Sequence, residues 1–506
     1  MHKLYVFPVA LICLYLKADT PDLWNQFRGP NGSGVAETYA PPIVPNNKNI
    51  AWKTSLPHGF SAPTLSNSYL FLTGIREGRF ITFALNKSDG QIIWEAKAPQ
   101  VALEQVHKSS SPATPTPLVE KDRLYVYFGS YGLLCYNHNG KLLWKKPLPV
   151  PKSLYGTATS PISHEDTVIL VVDNDKNLEA SRLSKSKIYA FNKTDGSLAW
   201  ETPRPLHRSG WSTPMIWTHN GKQELVVLGN GRLCGYELPG GQEKWHVTGF
   251  SRETIALPIA GGDRIFASAS KLGGAADVDP DPTPFWKAVI TFDADGDQKL
   301  VRKEMTGHFT FPFRPELPPG HPGFGMPLPK DVNQRKKRLD GMFYWMDKNK
   351  DGFWTKEEFI SNLKVGRGKP LLVAIRPDGR GNITESHVDW ELNKAIPEVP
   401  SPIYFNGRIY MVRSGGVLAC VDADNGKLLY RDRLGGLGQY SASPVIASGH
   451  LYLVSEPGIL SVVKADDSFE VTHQYDLAEE VVTTPAIDRD TIYIRTKKQL
   501  WAFRQE

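Results

Sequence analysis

The sequence predicts an all-β protein: an eight-bladed β-propeller of four-stranded antiparallel blades, closed between N- and C-terminal strands, with a small α-helical insert in the fifth blade. Three observations predict this fold. A hairpin motif recurs along the chain, proline-marked strand starts recur at nearly regular spacing, and one interval is about 100 residues too long. The composition agrees, since 44 Gly, 39 Pro and 11% aromatic residues are typical of many short strands and turns.

The hairpin motif begins with a small residue, then an apolar residue, then Asn, Asp or Glu. A Gly follows within a few positions, and an aromatic residue stands four positions after that Gly. It occurs at residues 84–94, 135–144, 190–200, 235–245 and 420–430. Asn and Gly favour a tight turn because they tolerate positive φ, and the second strand is expected to carry the aromatic inward. We expect the first position to be small because neighbouring sheets pack there. Cys135 and Cys420 occupy it, so we predict that they and Cys234 are buried thiols.

A Ser/Thr-Pro or similar step precedes eight apolar strands and marks the start of each unit. These prolines are Pro63, Pro117, Pro161, Pro214, Pro258, Pro402, Pro444 and Pro485. Successive prolines are 41 to 54 residues apart, the length of a four-stranded blade, except for the 144 residues between Pro258 and Pro402. The last unit lacks its closing aromatic strand. We expect residues 50–53, with Trp52, to supply it, so that both termini share one blade and no sheet edge is left free.

The long interval contains two segments with the spacing of EF-hand calcium loops. The second loop, residues 347–358, is complete, with Gly352 at the sharp turn and apolar residues at helical spacing on both sides. Its predicted Ca²⁺ ligands are Asp347, Asn349, Asp351, Phe353 through its carbonyl, Thr355 through a water and Glu358.

The first loop, residues 293–304, is less regular. Its candidate ligands are Asp293, Asp295, Asp297, Lys299 through its carbonyl and Glu304. Gln298 stands where Gly is usual and Val301 cannot hold a water, so this loop is either a second Ca²⁺ site or a degenerate loop retained for pairing. We expect the loops to pair through Leu300 and Trp354. Residues 310–330, which join them, contain seven prolines and predict a stiff, exposed spacer.

The N-terminal residues predict an export signal. A basic start is followed by an apolar run at residues 4–16, which is too short to span a bilayer comfortably, and then by a polar stretch. Cleavage near Ala18 is expected to place the mature chain in the periplasm or outside the cell with no transmembrane segment; lipidation at Cys13 is an alternative. The predicted division is a signal peptide at 1–18, a Gly-rich strap at 19–44, a propeller at 45–270 and 370–506, and an EF-hand insert at 271–369.

The net charge of +6 is small for 506 residues. Lys and Arg cluster densely only at residues 335–338, which is typical of the solvated face of a helix. Nucleic-acid binders concentrate such residues over a whole surface, so we expect no nucleic-acid partner.

The repeat resembles the quinoprotein repeat of pyrroloquinoline-quinone (PQQ) enzymes and their non-enzymatic, BamB-like relatives. The resemblance covers nearly all of residues 45–270 and 370–506, and residues 24–34 are similar to a stretch of exported PQQ-like propellers. For the enzymes it implies a planar quinone clamped in the propeller axis, a Ca²⁺ beside it, an Asp base and often a disulfide between adjacent cysteines. This sequence has no Cys-Cys pair and no unambiguous match to that Asp or those ligands, so its catalytic residues stay unknown.

Loops that lead into the inner strands of a propeller gather at one mouth of its axial channel. Side chains a few positions before the proline steps are therefore candidate ligand-binding residues, the alternative being a solvated rim. They are His107, Tyr155, His207, Arg208, Trp211, Arg252, Glu398, Tyr440, Glu479 and Glu480. Such a set could bind a sugar, a peptide segment or a cofactor. Residues 173–179 could hold a metal but are more typical of a polar turn.

Two main functions are consistent with these features. The first is an exported binding or scaffold protein for a protein or polymer partner, with a calcium-binding EF-hand insert; the lack of an adjacent-cysteine pair favours it. The second is a PQQ-dependent dehydrogenase of alcohols or sugars with a divergent active site. A third, an enzyme of another class such as a carbohydrate-active one, stays open. The expected cofactor is Ca²⁺, and whether PQQ binds is undecided from the sequence.

Overall fold

The computed structural model describes residues 23–153, 155–174, 185–208, 210–271, 283–312, 318–321, 324–362, 369–436 and 438–505. The predicted signal peptide, Cys13 and most of the polar turn at 173–179 lie outside these residues. No helix within them is long and apolar enough to cross a membrane.

The predicted eight-bladed propeller is confirmed, and every blade is built on four antiparallel strands, to which blades 4 and 7 each add a short parallel strand. Blade 1 comprises Thr64–Leu65, Tyr69–Arg76, Arg79–Asn86 and Ile92–Lys97. Blade 2 comprises Leu118–Val119, Arg123–Phe128, Gly132–Asn137 and Leu142–Pro147. Blade 3 comprises Ile162–His164, Thr167–Val172, Lys187–Asn192 and Leu198–Pro203. Blade 4 comprises Met215–His219, Lys222–Gly229, Arg232–Glu237 and Glu243–Thr248.

The second half of the ring follows the same plan. Blade 5 comprises Ile259–Gly261, Arg264–Ala269, Leu371–Ile375 and Val388–Leu392. Blade 6 comprises Ile403–Phe405, Arg408–Arg413, Val417–Asp422 and Leu428–Arg433. Blade 7 comprises Val445–Ala447, His450–Val454, Ile459–Lys464 and Val471–Asp476. Blade 8 comprises Ala486–Asp488, Thr491–Arg495, Gln499–Arg504 and the N-terminal strand Ile50–Ser55.

Blade 8 closes the ring as the sequence predicted. Ile50–Ser55 pairs antiparallel with Gln499–Arg504, and Trp52 lies opposite Ala502. An N-terminal and a C-terminal segment are thereby held in one hydrogen-bonded sheet, and Ile50–Ser55 is the outer strand of the last blade.

The Gly of each hairpin motif packs against the aromatic side chain of the preceding blade. Gly196 has φ +71°, and a Cβ there would come within 2.6 Å of the Trp144 indole. The Trp144 Nε1 donates to the carbonyl of Lys193, in the same turn, at 3.0 Å. The aromatic residue is therefore directed sideways onto the next blade rather than inward, and it joins the two sheets.

The small position of the motif faces the aromatic residue of its own blade. Ala84 lies opposite Trp94, and the register shifts by one residue beside this pair. A Cβ added to Gly235 would lie only 2.1 Å from the Trp245 indole. The position must be small because this indole covers it. It also packs against the next blade, as predicted, since Ala84 shares a core with Val126 of blade 2 and Cys420 with Leu453 of blade 7. The cysteines are buried free thiols, as predicted; they are Cys135, Cys234 and Cys420.

The N-terminal strap crosses the propeller axis. The Asn25 side chain donates to the carbonyl of Val119 in blade 2 at 3.2 Å, and the Arg28 guanidinium donates to that of Pro402, at the start of blade 6, at 2.9 Å. Because blades 2 and 6 are opposite in an eight-membered ring, these few residues span the axis. Val35–Ala36 then pairs in parallel with the first strand of blade 7. Two 3₁₀ turns lie in this region, at Pro30–Gly32 and Asn47–Asn49.

The insert between the second and third strands of blade 5 has its own apolar core. Its helices are Thr283–Val289, continued by the 3₁₀ turn Ile290–Phe292, then Val332–Met346 and Lys356–Asn362. Leu300–Val301 pairs with Phe353–Trp354, so that Leu300 lies opposite Trp354 as predicted.

The proline-rich spacer differs from the expectation. Thr310–Pro312 pairs with Gly325–Pro327, and Phe324 and Leu328 are buried in the core of the insert. This part of the spacer is packed because its aromatic and aliphatic residues supply core volume that the short helices lack. After it, Gly381–Asn382 adds a fifth strand to blade 4, and a short helix spans Thr384–His387.

Candidate functional site in the axial cavity

The hydroxyl residues of the Ser/Thr-Pro steps form a hydrogen-bonded ring around the axis. The Thr116 N–H donates to Ser160 Oγ at 2.9 Å, and the Ser160 N–H donates to Thr213 Oγ1 at 3.1 Å. The same bond joins the equivalent positions of other neighbouring blades, namely Ala62 to Thr116, Leu257 to Ser401, Ser401 to Ser443 and Ser443 to Thr484. Each hydroxyl thus satisfies a buried backbone donor of the blade before it.

The ring lacks this bond at two joints, where the accepting position holds Leu257 or Ala62. At the first, the Ser212 hydroxyl donates instead to the Ala256 carbonyl at 2.9 Å. At the second, between blades 8 and 1, the fully buried Arg495 donates to the carbonyl and the hydroxyl of Ser61 at 2.9 and 2.8 Å.

The ring surrounds a cavity of about 350 Å³, which is the strongest candidate for a ligand site. Thr116, Ser160 and Thr213 contribute to its wall. Phe27 of the strap also lines the cavity. The strap hydrogen-bonds to Val119 and Pro402, which lie on the strand side of the Ser/Thr-Pro steps. The strap therefore covers one end of the cavity, and the loops that precede the proline steps surround the other.

Two aromatic side chains form a corner of this cavity. The Tyr155 and Trp211 rings are 5.3 Å apart between centroids and nearly perpendicular, at 84°. The Trp211 Nε1 donates to the Gly156 carbonyl at 2.9 Å, which fixes the indole, and the His107 ring packs against the edge of Tyr155 at 5.2 Å. The corner is therefore held rigidly by contacts on both of its sides.

Two carboxylates line the same cavity. Glu253 comes from the connection between blades 4 and 5, and Glu456 from blade 7, where it accepts a hydrogen bond from the Ser441 hydroxyl. Burial raises the pKa of Glu253, and the charge of Arg252 opposes this shift. Burial also raises the pKa of Tyr155, and the negative charge of Glu253 adds to this increase. The backbone N–H of Trp211 donates to the carbonyl of Thr254, the neighbour of Glu253, at 3.0 Å, so Glu253 enters the cavity wall beside the aromatic corner.

Of the side chains predicted at the mouth, Tyr155 and Trp211 line the cavity and His107 touches Tyr155. Glu398 pairs instead with Arg413 at 3.1 Å, and the exposed Glu480 pairs with Lys497 at 2.8 Å. The remaining predicted side chains are not among those that line the cavity; they are His207, Arg208, Arg252, Tyr440 and Glu479. Tyr440 is buried, with its hydroxyl donating to the Gly436 carbonyl, and Glu479 accepts from Thr496.

His207 belongs to a separate buried network. Arg204 forms an ion pair with Asp173 at 3.2 Å and lies 3.0 Å from His207 Nδ1, while His207 Nε2 lies 3.7 Å from Cys234 Sγ. Because the guanidinium can only donate, Nδ1 accepts and the ring proton sits on Nε2.

This network carries neither a thiolate nor a metal site, although Glu243 completes a His/Cys/Glu group within 4.8 Å. A metal ligand at Nε2 would need the proton on Nδ1, where Arg204 already donates. Burial keeps the pKa of His207 well below its usual value and raises that of Cys234 to about 12, so both groups are neutral near pH 7.

The two loops of the insert follow the same backbone course. Positive φ values occur at Gly296 and Gln298, of 78° and 66°, and at Lys350 and Gly352, of 63° and 88°. Gln298 therefore adopts the conformation that Gly352 adopts without steric cost. The carboxylates of the first loop gather within 4.8 Å; they belong to Asp293, Asp295 and Asp297.

The last acidic residue of each loop reaches back to its beginning. Glu304 accepts from the N–H groups of Ala294 and Val301 at 3.0 and 2.9 Å. Glu358 accepts from those of Lys348 and Thr355 at 3.1 and 3.2 Å. The first loop thus gathers three carboxylates at one centre, which could hold a hard cation such as Ca²⁺, and the closing Glu358 of the second loop makes the same kind of contacts as Glu304.

Several wall residues were missed from the sequence. The predicted residues lie a few positions before each proline and therefore do not include the Ser or Thr directly before it. The recurrence of the Ser/Thr-Pro step is the sequence signal for that side chain. Glu253 lies beside Arg252, which is among the predicted residues, and Gln439 and Ser441 flank the buried Tyr440. Phe27 could not be found in this way because only the folded strap brings it to the axis.

Comparison with known proteins supports this description of the fold. The sequence profile of the family described as outer membrane protein assembly factor BamB matches residues 42–172, 81–295 and 385–506. The crystal structure of BamB from Moraxella catarrhalis superposes with a TM-score of 0.51 at 10% identity, covering 90% of this chain and 98% of that one. No curated protein matches the sequence.

Two further solved structures show the same fold. The computationally designed Ika8 protein has a TM-score of 0.52 at 9% identity, with 90% of this chain and 99% of that chain covered. The quinohemoprotein alcohol dehydrogenase ADHIIG from Pseudomonas putida HK5 has a TM-score of 0.51 at 12% identity, with coverage of 96% and 80%. At such identities the likeness concerns the fold alone.

Proposed function

The chain belongs to the family described as outer membrane protein assembly factor BamB, and from this membership we propose that it is an exported binding or scaffold protein for a protein or polymer partner. Its axial cavity is the candidate binding site. The residues 1–18, read as a signal peptide, support export. N-terminal sequencing of protein recovered from the periplasm or medium tests this part; a mature chain beginning at Met1 contradicts it.

The chemistry of the cavity wall is the observation that favours binding over quinone catalysis. PQQ carries three carboxylates, whereas the wall, within the described residues, supplies two carboxylates of its own and no Lys or Arg side chain. Placing a trianion beside Glu253 and Glu456 brings like charges together in a partly desolvated site, which is unfavourable unless a bound Ca²⁺ lies between them. The described wall offers the carboxylates of the quinone no cationic side chain, so we derive no catalytic step through it.

A direct test uses the purified mature chain with PQQ and Ca²⁺. Equilibrium dialysis measures bound quinone by its absorbance, and dye reduction with alcohols and sugars measures turnover. We expect neither stoichiometric binding nor turnover. Stoichiometric quinone with turnover would overturn the proposal in favour of the dehydrogenase.

We also propose that the insert binds Ca²⁺ through the two loops. The second loop offers Asp347, Asn349, Asp351, the Phe353 carbonyl, Thr355 through a water and Glu358. The first offers Asp293, Asp295, Asp297, the Lys299 carbonyl and Glu304. These are the oxygen donors that Ca²⁺ prefers, and extracellular modules of this kind bind at roughly 10⁻⁴ to 10⁻³ M.

Calorimetry with Ca²⁺ tests the two loops separately. Glu358→Gln should abolish the stronger binding event, because it replaces the bidentate closing carboxylate, and Glu304→Gln should remove any second event. Glu357→Gln is the matched control, since it changes the neighbouring carboxylate outside the ligand set. Unchanged binding in Glu358→Gln shows that the second loop is not the site.

A further inference from the structure

We propose that the axial cavity recognises a cationic nitrogen, the ammonium group of a ligand that enters end-on between the aromatic corner of Tyr155 and Trp211 and the carboxylate of Glu253. This inference rests on the proposed binding function and names the chemistry that the binding site selects. Three features of the cavity support it: its closed end, its aromatic corner and its charge.

The closed end limits the size of the group that is bound. The strap crosses the axis and Phe27 lines the cavity, so a ligand is admitted from the side of the mouth. About 350 Å³ holds one small head group together with a short stem, not a folded partner. Recognition in the cavity therefore concerns the end of a chain or a protruding side chain.

The aromatic corner supplies two π surfaces to the same point. The Tyr155 and Trp211 rings meet at 84°, so a group in the angle between them contacts the face of one ring while the other ring closes its side. The hydrogen bond from Trp211 to Gly156 fixes the indole before a ligand arrives, which lowers the entropic cost of binding. Aromatic cages of this kind bind ammonium groups through cation–π attraction, by about 0.5 to 2 kcal/mol per contact.

The charge of the wall then selects cations over anions. Glu253 and Glu456 approach from different sides of the ring, and the other polar wall groups are mainly Ser and Thr hydroxyls, which accept hydrogen bonds from an ammonium group. A carboxylate beside the corner adds a charge-assisted hydrogen bond for a primary ammonium or an ion pair for a quaternary one. A neutral ligand of the same shape would lack both contributions.

Calorimetry with small probes tests this selectivity. The probes are choline, n-butylammonium and the uncharged isostere of choline in which carbon replaces nitrogen. We expect choline or n-butylammonium to bind at least about tenfold more tightly than the isostere. Equal binding of the isostere, or no binding of either cation, overturns the inference. Nα-acetyl-lysine methylamide in the same assay distinguishes a partner's lysine side chain from a free amine.

Substitutions locate the site. Glu253→Gln keeps the shape of the side chain and should weaken cation binding about tenfold while leaving the isostere unaffected. Tyr155→Leu should weaken it as well, and Glu480→Gln, an exposed carboxylate outside the wall, is the control. Near-ultraviolet circular dichroism verifies that each variant is folded. If Glu253→Gln binds choline as wild type does, the inference is wrong.

The two proposals fail separately. Stoichiometric PQQ binding with turnover overturns the binding function and this inference together. If neither PQQ nor any cation binds, only the inference is overturned, because a protein partner would then be recognised by another surface of the propeller.

Discussion

Arg495 in the last blade donates hydrogen bonds to both the carbonyl and the hydroxyl oxygen of Ser61, which lies 434 residues earlier and directly precedes the first blade. The same guanidinium reaches the carbonyls of Thr73 and Pro57 at 3.0 and 3.1 Å. The bonds lie at the joint where Ala62 cannot supply the hydroxyl that other blades use. Burial lowers the pKa of Arg495 to about 9, which leaves the group charged at neutral pH.

Replacing Arg495 should therefore weaken the closure of the ring. We expect Arg495→Met to lower the free energy of unfolding by about 3 kcal/mol or more, because several buried acceptors lose their donor. Urea denaturation measures the loss, and hydrogen exchange should show faster opening in blades 1 and 8 than in blade 4. Arg495→Lys should recover only part of it, since an ammonium group lacks the planar fork. Full recovery would contradict the geometric argument.

The hydroxyl ring predicts a second effect on stability. Ser160→Ala removes the acceptor for the buried Thr116 N–H and should cost about 1 to 3 kcal/mol in the free energy of unfolding. The matched control is Ser109→Ala, which changes an exposed serine of the cavity wall whose hydroxyl bonds to the His107 ring rather than to a buried N–H, and it should have a much smaller effect. Equal losses in urea denaturation would show that the bond between Thr116 and Ser160 contributes little.

Substitutions at two glycines with nearly the same φ can separate the cost of backbone strain from the cost of a steric contact. Gly196 and Gly221 have φ of +71° and +70°, but only at Gly196 does a Cβ meet a neighbour, the Trp144 ring at 2.6 Å. Gly221→Ala should cost about 1 kcal/mol for the left-handed conformation alone. Gly196→Ala should cost a further 1 to 3 kcal/mol because the indole must move. Equal shifts in the urea midpoint would show that the Trp contact adds nothing.

The fold was predictable because its signals are local and repeated. Each proline step and each Gly with its aromatic partner is written in the sequence, so the eight blades, their closure through Trp52 and the interrupted fifth blade follow from spacing. The contacts that these residues make between blades could not be predicted from the motif. Trp144 contacts Gly196 of the next blade, and a contact between blades cannot be read from a motif within one blade.

The candidate site was only partly predictable for a similar reason. Tyr155 and Trp211 were found because their loops run directly into a proline step. His207, only four residues before Trp211, is turned away from the axis by its contacts with Arg204 and Cys234. Position along the sequence does not determine which side of a loop faces the channel, and Phe27 reaches the cavity only through the path of the strap.

A substitution in the first insert loop is expected to raise the stability of the insert rather than lower it. Gln298 holds φ at +66°, which a glycine adopts freely. Gln298→Gly should stabilise the folded insert by up to about 1 kcal/mol, the relief of strain exceeding the entropy that glycine adds to the unfolded chain. Calcium titration should show tighter binding at this loop. Lys350→Gly tests the same substitution at the left-handed non-glycine position of the second loop, and no gain in either variant would mean that neither backbone is strained.

Because Glu104 is largely buried, we expect the stability of the protein to depend on pH. Burial raises its pKa to about 7, against the hydrogen bond from the Thr157 hydroxyl, which lowers it. The folded state therefore holds this proton more tightly than the unfolded state, and the contribution of Glu104 to stability falls as the pH rises from about 4.5 to 7. Glu104→Gln, which cannot ionise, should be about 2 to 3 kcal/mol more stable than wild type at pH 8 and no more stable at pH 4. Urea denaturation at both pH values measures the difference. A constant difference between the two proteins would show that the carboxyl group titrates normally in the fold.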